Sequence, residues 1–133
     1  MKRLIILILS MISVSFSLSG CRSKSEEELA SFTKITGAQA KKMMEEDDSL
    51  IILDVRTEEE FKEGHIEGAI LIPNNELKER ANEELPDKDS TILVYCRSGA
   101  RSAMSAQELA DAGYTNVYDF GGIIDWEYET VKE

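Results

Sequence analysis

Two short runs narrow the fold most: residues 50–55 (LIILDV) and 91–95 (TILVY) are apolar at nearly every position and rich in β-branched side chains. A strand with one wet face alternates; a continuous run belongs to a strand covered on both faces. Helical signals separate them. Thr36 with Gln39 and Thr57 with Glu60 each have the spacing of a capping box, in which the two side chains satisfy orphan amides at a helix start. The first box predicts a helix to about Glu46. The second predicts a short one stopped by Gly64. Residues 75–85 are amphipathic, residues 102–112 carry apolar side chains at helical spacing, and Gly113 follows as a stop. Shorter strands are expected at 32–35, at 69–72 before Pro73, and at 117–118, with a last helix over 125–131. Strands alternating with helices predict an α/β fold, a parallel five-stranded sheet flanked by helices on both faces. Ligands of such sheets sit beyond the carboxyl ends of the strands. At the end of the 91–95 run stands Cys96.

The first twenty residues differ from the rest. Met1-Lys2-Arg3 is a basic head, residues 4–18 are apolar apart from serines, and Ser19-Gly20-Cys21 follows. That order of basic, apolar and small residues is expected of an export signal. The run is shorter than the roughly 20 apolar residues that a membrane span needs. Leu18-Ser19-Gly20-Cys21 resembles the lipobox of bacterial lipoproteins, which implies cleavage before Cys21 and lipid attachment to its thiol. The expected organisation is a signal peptide at 1–20, a lipidated polar tether at 21–31 and one domain at 32–133. The mature protein would be exported and anchored to the membrane by lipid, on the extracytoplasmic face or in the periplasm, without spanning it.

Charge and cysteines exclude several classes. The net charge is −11, and losing Lys2 and Arg3 with the signal makes it −13. Nucleic acid is not an expected partner, because binding it needs a basic face that releases counterions. With two cysteines, one of them assigned to lipid, Cys96 is the only free thiol expected. A disulfide framework, a multi-cysteine metal site and dithiol redox chemistry within the chain are thereby excluded.

The loop Cys96-Arg97-Ser98-Gly99-Ala100-Arg101-Ser102 lies between a buried strand and a helix. A helix N-terminus stabilises an anion and lowers a thiol pKa. Gly99 between small neighbours lets successive amides turn inward, forming a nest for an anion. Arg97 and Arg101 add positive charge, and no acidic side chain occurs from Thr91 up to Glu108. The expected site is an activated nucleophile facing an anionic partner.

This segment resembles the active-site loop of the rhodanese family, and the rest of the domain matches it in order. Leu53-Asp54-Val55-Arg56 with Glu60-Phe61, Gly64-His65-Ile66-Glu67-Gly68-Ala69, Val94-Tyr95-Cys96 with the loop, and Gly121-Gly122-Ile123 with Trp126 resemble four successive family signatures. The resemblance covers about residues 32–133 and implies a rhodanese-like fold. It also implies sulfurtransferase activity, with sulfane sulfur passing from thiosulfate or a similar anionic donor to a thiol, sulfur-carrier or cyanide acceptor. Cys96 would be the catalytic residue and carry the sulfur as a persulfide; Arg97, Ser98, Gly99, Ala100 and Arg101 would bind the substrate. No cofactor or metal is expected. Two alternatives stay open: a non-catalytic module of the same family that binds sulfur or a partner, and an arsenate reductase or phosphatase of the same fold. The latter use a longer loop with arginine six positions after the cysteine; here arginine is at the fifth and Ser102 at the sixth.

Other conspicuous residues are expected to be structural. His65 should hold a turn, Asp54 and Arg56 should fix the loop after a central strand through a buried or half-buried pair, and Trp126 should pack at the core or the loop rim. Met43 and Met44 should pack a helix, and the acidic run at 45–48 is a solvated helix end.

Overall fold

The computed structural model describes residues 29–133; the expected signal peptide, Cys21 and most of the expected tether lie outside them. Five strands form one parallel sheet: β1 (Thr33–Lys34), β2 (Ile51–Asp54), β3 (Ile70–Leu71), β4 (Thr91–Cys96) and β5 (Asn116–Gly122), in the spatial order β1-β5-β4-β2-β3. The helices are α1 (Gly37–Glu46), α2 (Glu58–Glu63), α3 (Leu77–Glu84) and α4 (Ala100–Asp111). Both expected capping boxes are formed, at Thr36 and at Thr57.

The central strand β4 explains the continuous apolar run. Ile92, Val94 and Cys96 face a core built with Leu77 and Leu85, on or beside α3, and Ala106 and Leu109 of α4. Leu93 and Tyr95 face the opposite core, with Ala40 of α1 and Phe120. All five of the strand's residues from Ile92 to Cys96 are buried. Fully burying one large aliphatic side chain stabilises the fold by roughly 1.5–3 kcal/mol, so a polar residue on either face of β4 would be costly.

Two expectations need correction. Residues 125–131 do not form a helix: a single 3-10 turn spans Ile123–Asp125, and Val131 then forms an antiparallel bridge with His65. The Val131 amide donates to the His65 carbonyl at 2.8 Å, and the reverse bond is 2.9 Å. Trp126 takes extended backbone and packs between Phe120 and Tyr128, at ring distances of 5.5 and 4.9 Å. Seven residues are too few for a stable helix in isolation, and tertiary pairing outweighs weak propensity. The second correction concerns α4, which begins at Ala100 rather than near Ser102. Arg101 and Ser102 therefore stand in its first turn.

Candidate active site

Cys96 is the last residue of β4, and α4 opens four residues later. The turn between them depends on glycine at two points. Gly99, the residue before α4, has φ +106°, a left-handed conformation that other residues adopt only with strain. Gly122 of β5 has ordinary backbone, but a Cβ there would lie 2.2 Å from the Arg97 carbonyl oxygen and 2.7 Å from the Ser98 Cα. The loop rests directly on its backbone. An irregularity between β4 and β5 makes this contact possible: Val94 pairs with Asp119 but Cys96 pairs with Gly122, so β5 holds one extra residue. Such a bulge re-aims the chain at a strand end.

The thiol sits on the floor of this loop, and Cys96 is only 1% exposed. The Gly99 amide donates to its Sγ at 3.0 Å, and Sγ lies 3.5 Å from the Ser102 hydroxyl oxygen. Burial alone would raise the thiol pKa. The Ser102 hydroxyl and the amides of Ser102, Gly99 and Ser98 outweigh it and hold the thiol below its ordinary value. Arg97 and Ser98 are exposed, and the Arg97 carbonyl accepts the Ile124 amide at 3.2 Å. A recess beside the loop is lined by Arg56, Glu60, Gly64, Arg97, Ile123 and Trp126, among others.

Arg101 is not a free anion receptor. It makes two hydrogen bonds to Glu60, at 2.8 and 3.1 Å, and that guanidinium holds the Glu60 carboxyl below the usual carboxylate range. The expectation of a loop field undisturbed by acidic groups fails in space, although it holds along the chain. In the sequence Glu60 reads as a helix cap, which it is, and as part of a family signature, but not as a partner of Arg101. Asp119 was missed: it is fully buried behind Ser102, with Ser102 Oγ 2.7 Å from Asp119 Oδ1. A lone aspartate in a strand whose neighbours on that face are apolar was the available signal.

The supporting residues behave as expected. Arg56 lies against Asp54 at 2.7 Å with both buried, and its guanidinium also donates to the Gly64 carbonyl at 2.7 Å. His65 Nδ1 is 2.8 Å from the Phe61 carbonyl and its ring stacks on Phe61, so it holds the turn. The Tyr95 hydroxyl accepts the Ile66 amide at 3.1 Å. Met43 and Met44 pack against the second core. Among the described residues no cluster of His, Cys, Asp or Glu could hold a metal ion.

The profile of the Rhodanese-like domain matches residues 36–129. The chain belongs to the rhodanese family. The chain is 41% identical over 80 residues to the thiosulfate sulfurtransferase PspE of Escherichia coli (strain K12), a match covering 60% of this chain and 77% of that protein. A solved structure titled rhodanese with anions from E. coli superposes with a TM-score of 0.59 at 40% identity, covering 62% of this chain and 98% of that one. A rhodanese-related protein from Thermoplasma volcanium gives 0.67 at 30% identity, covering 77% and 100%. The parallel five-stranded fold and the membership of a rhodanese-like sulfurtransferase family are thus both established.

Proposed function

We propose that this member of the rhodanese family is a sulfurtransferase that takes sulfane sulfur from thiosulfate, or a similar anionic donor, onto Cys96 and passes it to a thiol. The observation that carries the reading is the short bond from the Gly99 amide to Cys96 Sγ, inside a turn where amides and the Ser102 hydroxyl hold the thiol below its ordinary pKa. A thiolate there attacks the outer sulfur of thiosulfate; the S–S bond breaks and sulfite leaves with its electron pair. The product is Cys96–S–S⁻, whose outer sulfur extends beyond Sγ. Backbone amides of residues 97–101 are the groups available to stabilise that charge, as an oxyanion hole does. An acceptor thiolate then attacks the outer sulfur, and Cys96 departs as a thiolate. Arg97 stands exposed to meet the donor, while Arg101 holds Glu60 and orders the loop. The E. coli relative named a thiosulfate sulfurtransferase supports this choice of donor.

The 1% exposure of Cys96 favours a second reading, a module that binds a partner without loading sulfur. Incubating the reduced protein with thiosulfate separates the two. The catalytic reading expects intact mass to rise by one sulfur atom and Cys96→Ser to abolish the gain. No gain in a folded, reduced sample overturns it. The lipobox-like Leu18-Ser19-Gly20-Cys21 further supports an exported protein whose Cys21 bears lipid, placing the domain at an extracytoplasmic membrane face.

A further inference from the structure

A groove of about 670 Å³ is lined by α1, the start of β2 and the segment that follows β5. Its floor is apolar: Met44, Leu50 and Ile52 pack against the second core and are only partly covered by it. Its wall is aromatic. Trp126 and Tyr128 meet edge to face at 4.9 Å, and Trp126 Nε1 donates to the Glu129 carbonyl at 3.4 Å. Its rim is acidic: Asp47, Asp48, Glu67, Glu127 and Glu129 are all exposed, and among the described residues none of the five forms an ion pair. The one cation in the lining is Lys41, whose Nζ stands 5.6 Å from the centre of the Tyr128 ring and 3.8 Å from Glu45. An aromatic face attracts such an ammonium, so a lysine of this chain already uses the wall as a cation would.

Charge decides what can lie there. Five carboxylates repel an anionic donor, and a net charge of −11 opposes a second copy of this chain. The chain before β1 is held on the other face of the sheet, where the Ala30 carbonyl accepts Gln107 of α4. A basic segment of another protein fits all three surfaces. Lysine and arginine lay apolar stems along an apolar floor and keep their charged heads at its edge. The groove also leads to the chemistry: Trp126 and Tyr128 line the recess beside the loop as well, together with Arg97, the residue after Cys96.

We propose that this groove docks a basic segment, bearing at least one apolar side chain, of a protein whose thiol accepts the sulfur. Docking rests on the sulfurtransferase reading for its purpose, not for its chemistry. In the transfer the acceptor's thiolate attacks the outer sulfur of Cys96–S–S⁻. The S–S bond breaks, Cys96 leaves as a thiolate with the electron pair, and the acceptor becomes the persulfide. No outside oxidant or reductant is needed. The groove touches none of the reacting atoms; it selects the acceptor and leaves the thiol unchanged. A small thiol reaches the same sulfur without it.

Trp126 is the chain's single tryptophan, so its emission reports the groove directly. The probes are a peptide with one cysteine followed by Gly-Gly-Lys-Leu-Lys, and its twin with glutamate in place of both lysines. At about 0.01 M salt, where surface charges act over roughly 30 Å, titrating the full chain with the basic peptide should change Trp126 emission saturably, and the acidic twin should not. Asp48→Asn with Glu127→Gln should weaken binding about five-fold or more, since one exposed ion pair is worth up to about that factor. Glu79→Gln with Glu83→Gln, the same change of charge on α3, should leave binding as it was. Equal binding of the two peptides, or equal weakening by the two pairs of substitutions, overturns the proposal. Emission that shifts with protein concentration alone gives the groove to a second copy and overturns it too. In the thiosulfate-treated protein, sulfur should pass to the basic peptide several-fold faster than to its twin, read as added peptide mass. Asp48→Asn with Glu127→Gln should erase that preference and leave transfer to 2-mercaptoethanol unchanged; a preference that survives overturns the proposal. Peptide binding without sulfur loading would leave the docking site standing and remove the proposed function, and loading without peptide binding would do the reverse.

Discussion

Gly122 shows how one missing atom can hold a site together. The Arg97 carbonyl occupies the space a β-carbon would need, and both obstructing groups are backbone, which cannot swing aside as a side chain would. Gly122→Ala should push the loop off β5, lengthening the Gly99 amide–Sγ bond and removing the Ser102 contact. Overpacking of this kind costs about 1–3 kcal/mol, which urea unfolding would measure. Sulfur loading should fall with it, and loading at the unaltered rate would show that the loop's seat does not matter. The pair Gly121-Gly122 was visible in the sequence as a family signature, yet its physical reason was not, because nothing along the chain says that residue 122 lies under residue 97. Glu60 and Asp119 were hidden for the same cause. Their contacts with Arg101 and Ser102 span 41 and 17 residues and exist only once the sheet order is known.

At the scale of elements, legibility followed how local the forces were. Both capping boxes and the β2 and β4 runs were readable, since side-chain caps act over three residues and double-faced burial leaves an uninterrupted apolar run. The C-terminal segment was not, because its conformation is decided by pairing with residue 65 and by Trp126 packing on Phe120. That bridge closes the turn in which His65 stacks on Phe61. Val131→Pro removes the amide that donates to the His65 carbonyl and should cost about 0.5–1.5 kcal/mol, the net worth of one such bond. The Val131 change should speed hydrogen exchange at the His65 amide, which donates in the reverse bond. An unaltered exchange rate there would mean that the bridge contributes nothing to holding the turn.

For the whole molecule the question is how the proposed anionic donor would reach a polyanion. The chain carries a net charge of −11, and the site offers little to offset it, since Glu60 neutralises Arg101 and leaves Arg97 as the exposed cation of the loop. Screening decides which of these the donor feels. At about 0.01 M salt the Debye length is roughly 30 Å, and at about 0.15 M roughly 8 Å. A domain of about 100 residues has a radius of gyration near 13 Å, so at low salt thiosulfate meets the field of the entire surface, whereas at physiological salt it meets only the loop. The observed rate constant for sulfur loading should therefore rise several-fold as salt increases over this range, the opposite of the fall seen when a charged cleft steers its substrate. Alkylation by neutral iodoacetamide should stay nearly flat over the same range, which separates repulsion of the donor from any effect of salt on the thiol. If loading instead slows with salt, Arg97 and the loop amides project an attraction that outreaches the surrounding acidic surface, and the Glu60–Arg101 pair cannot be screening the site as its geometry implies.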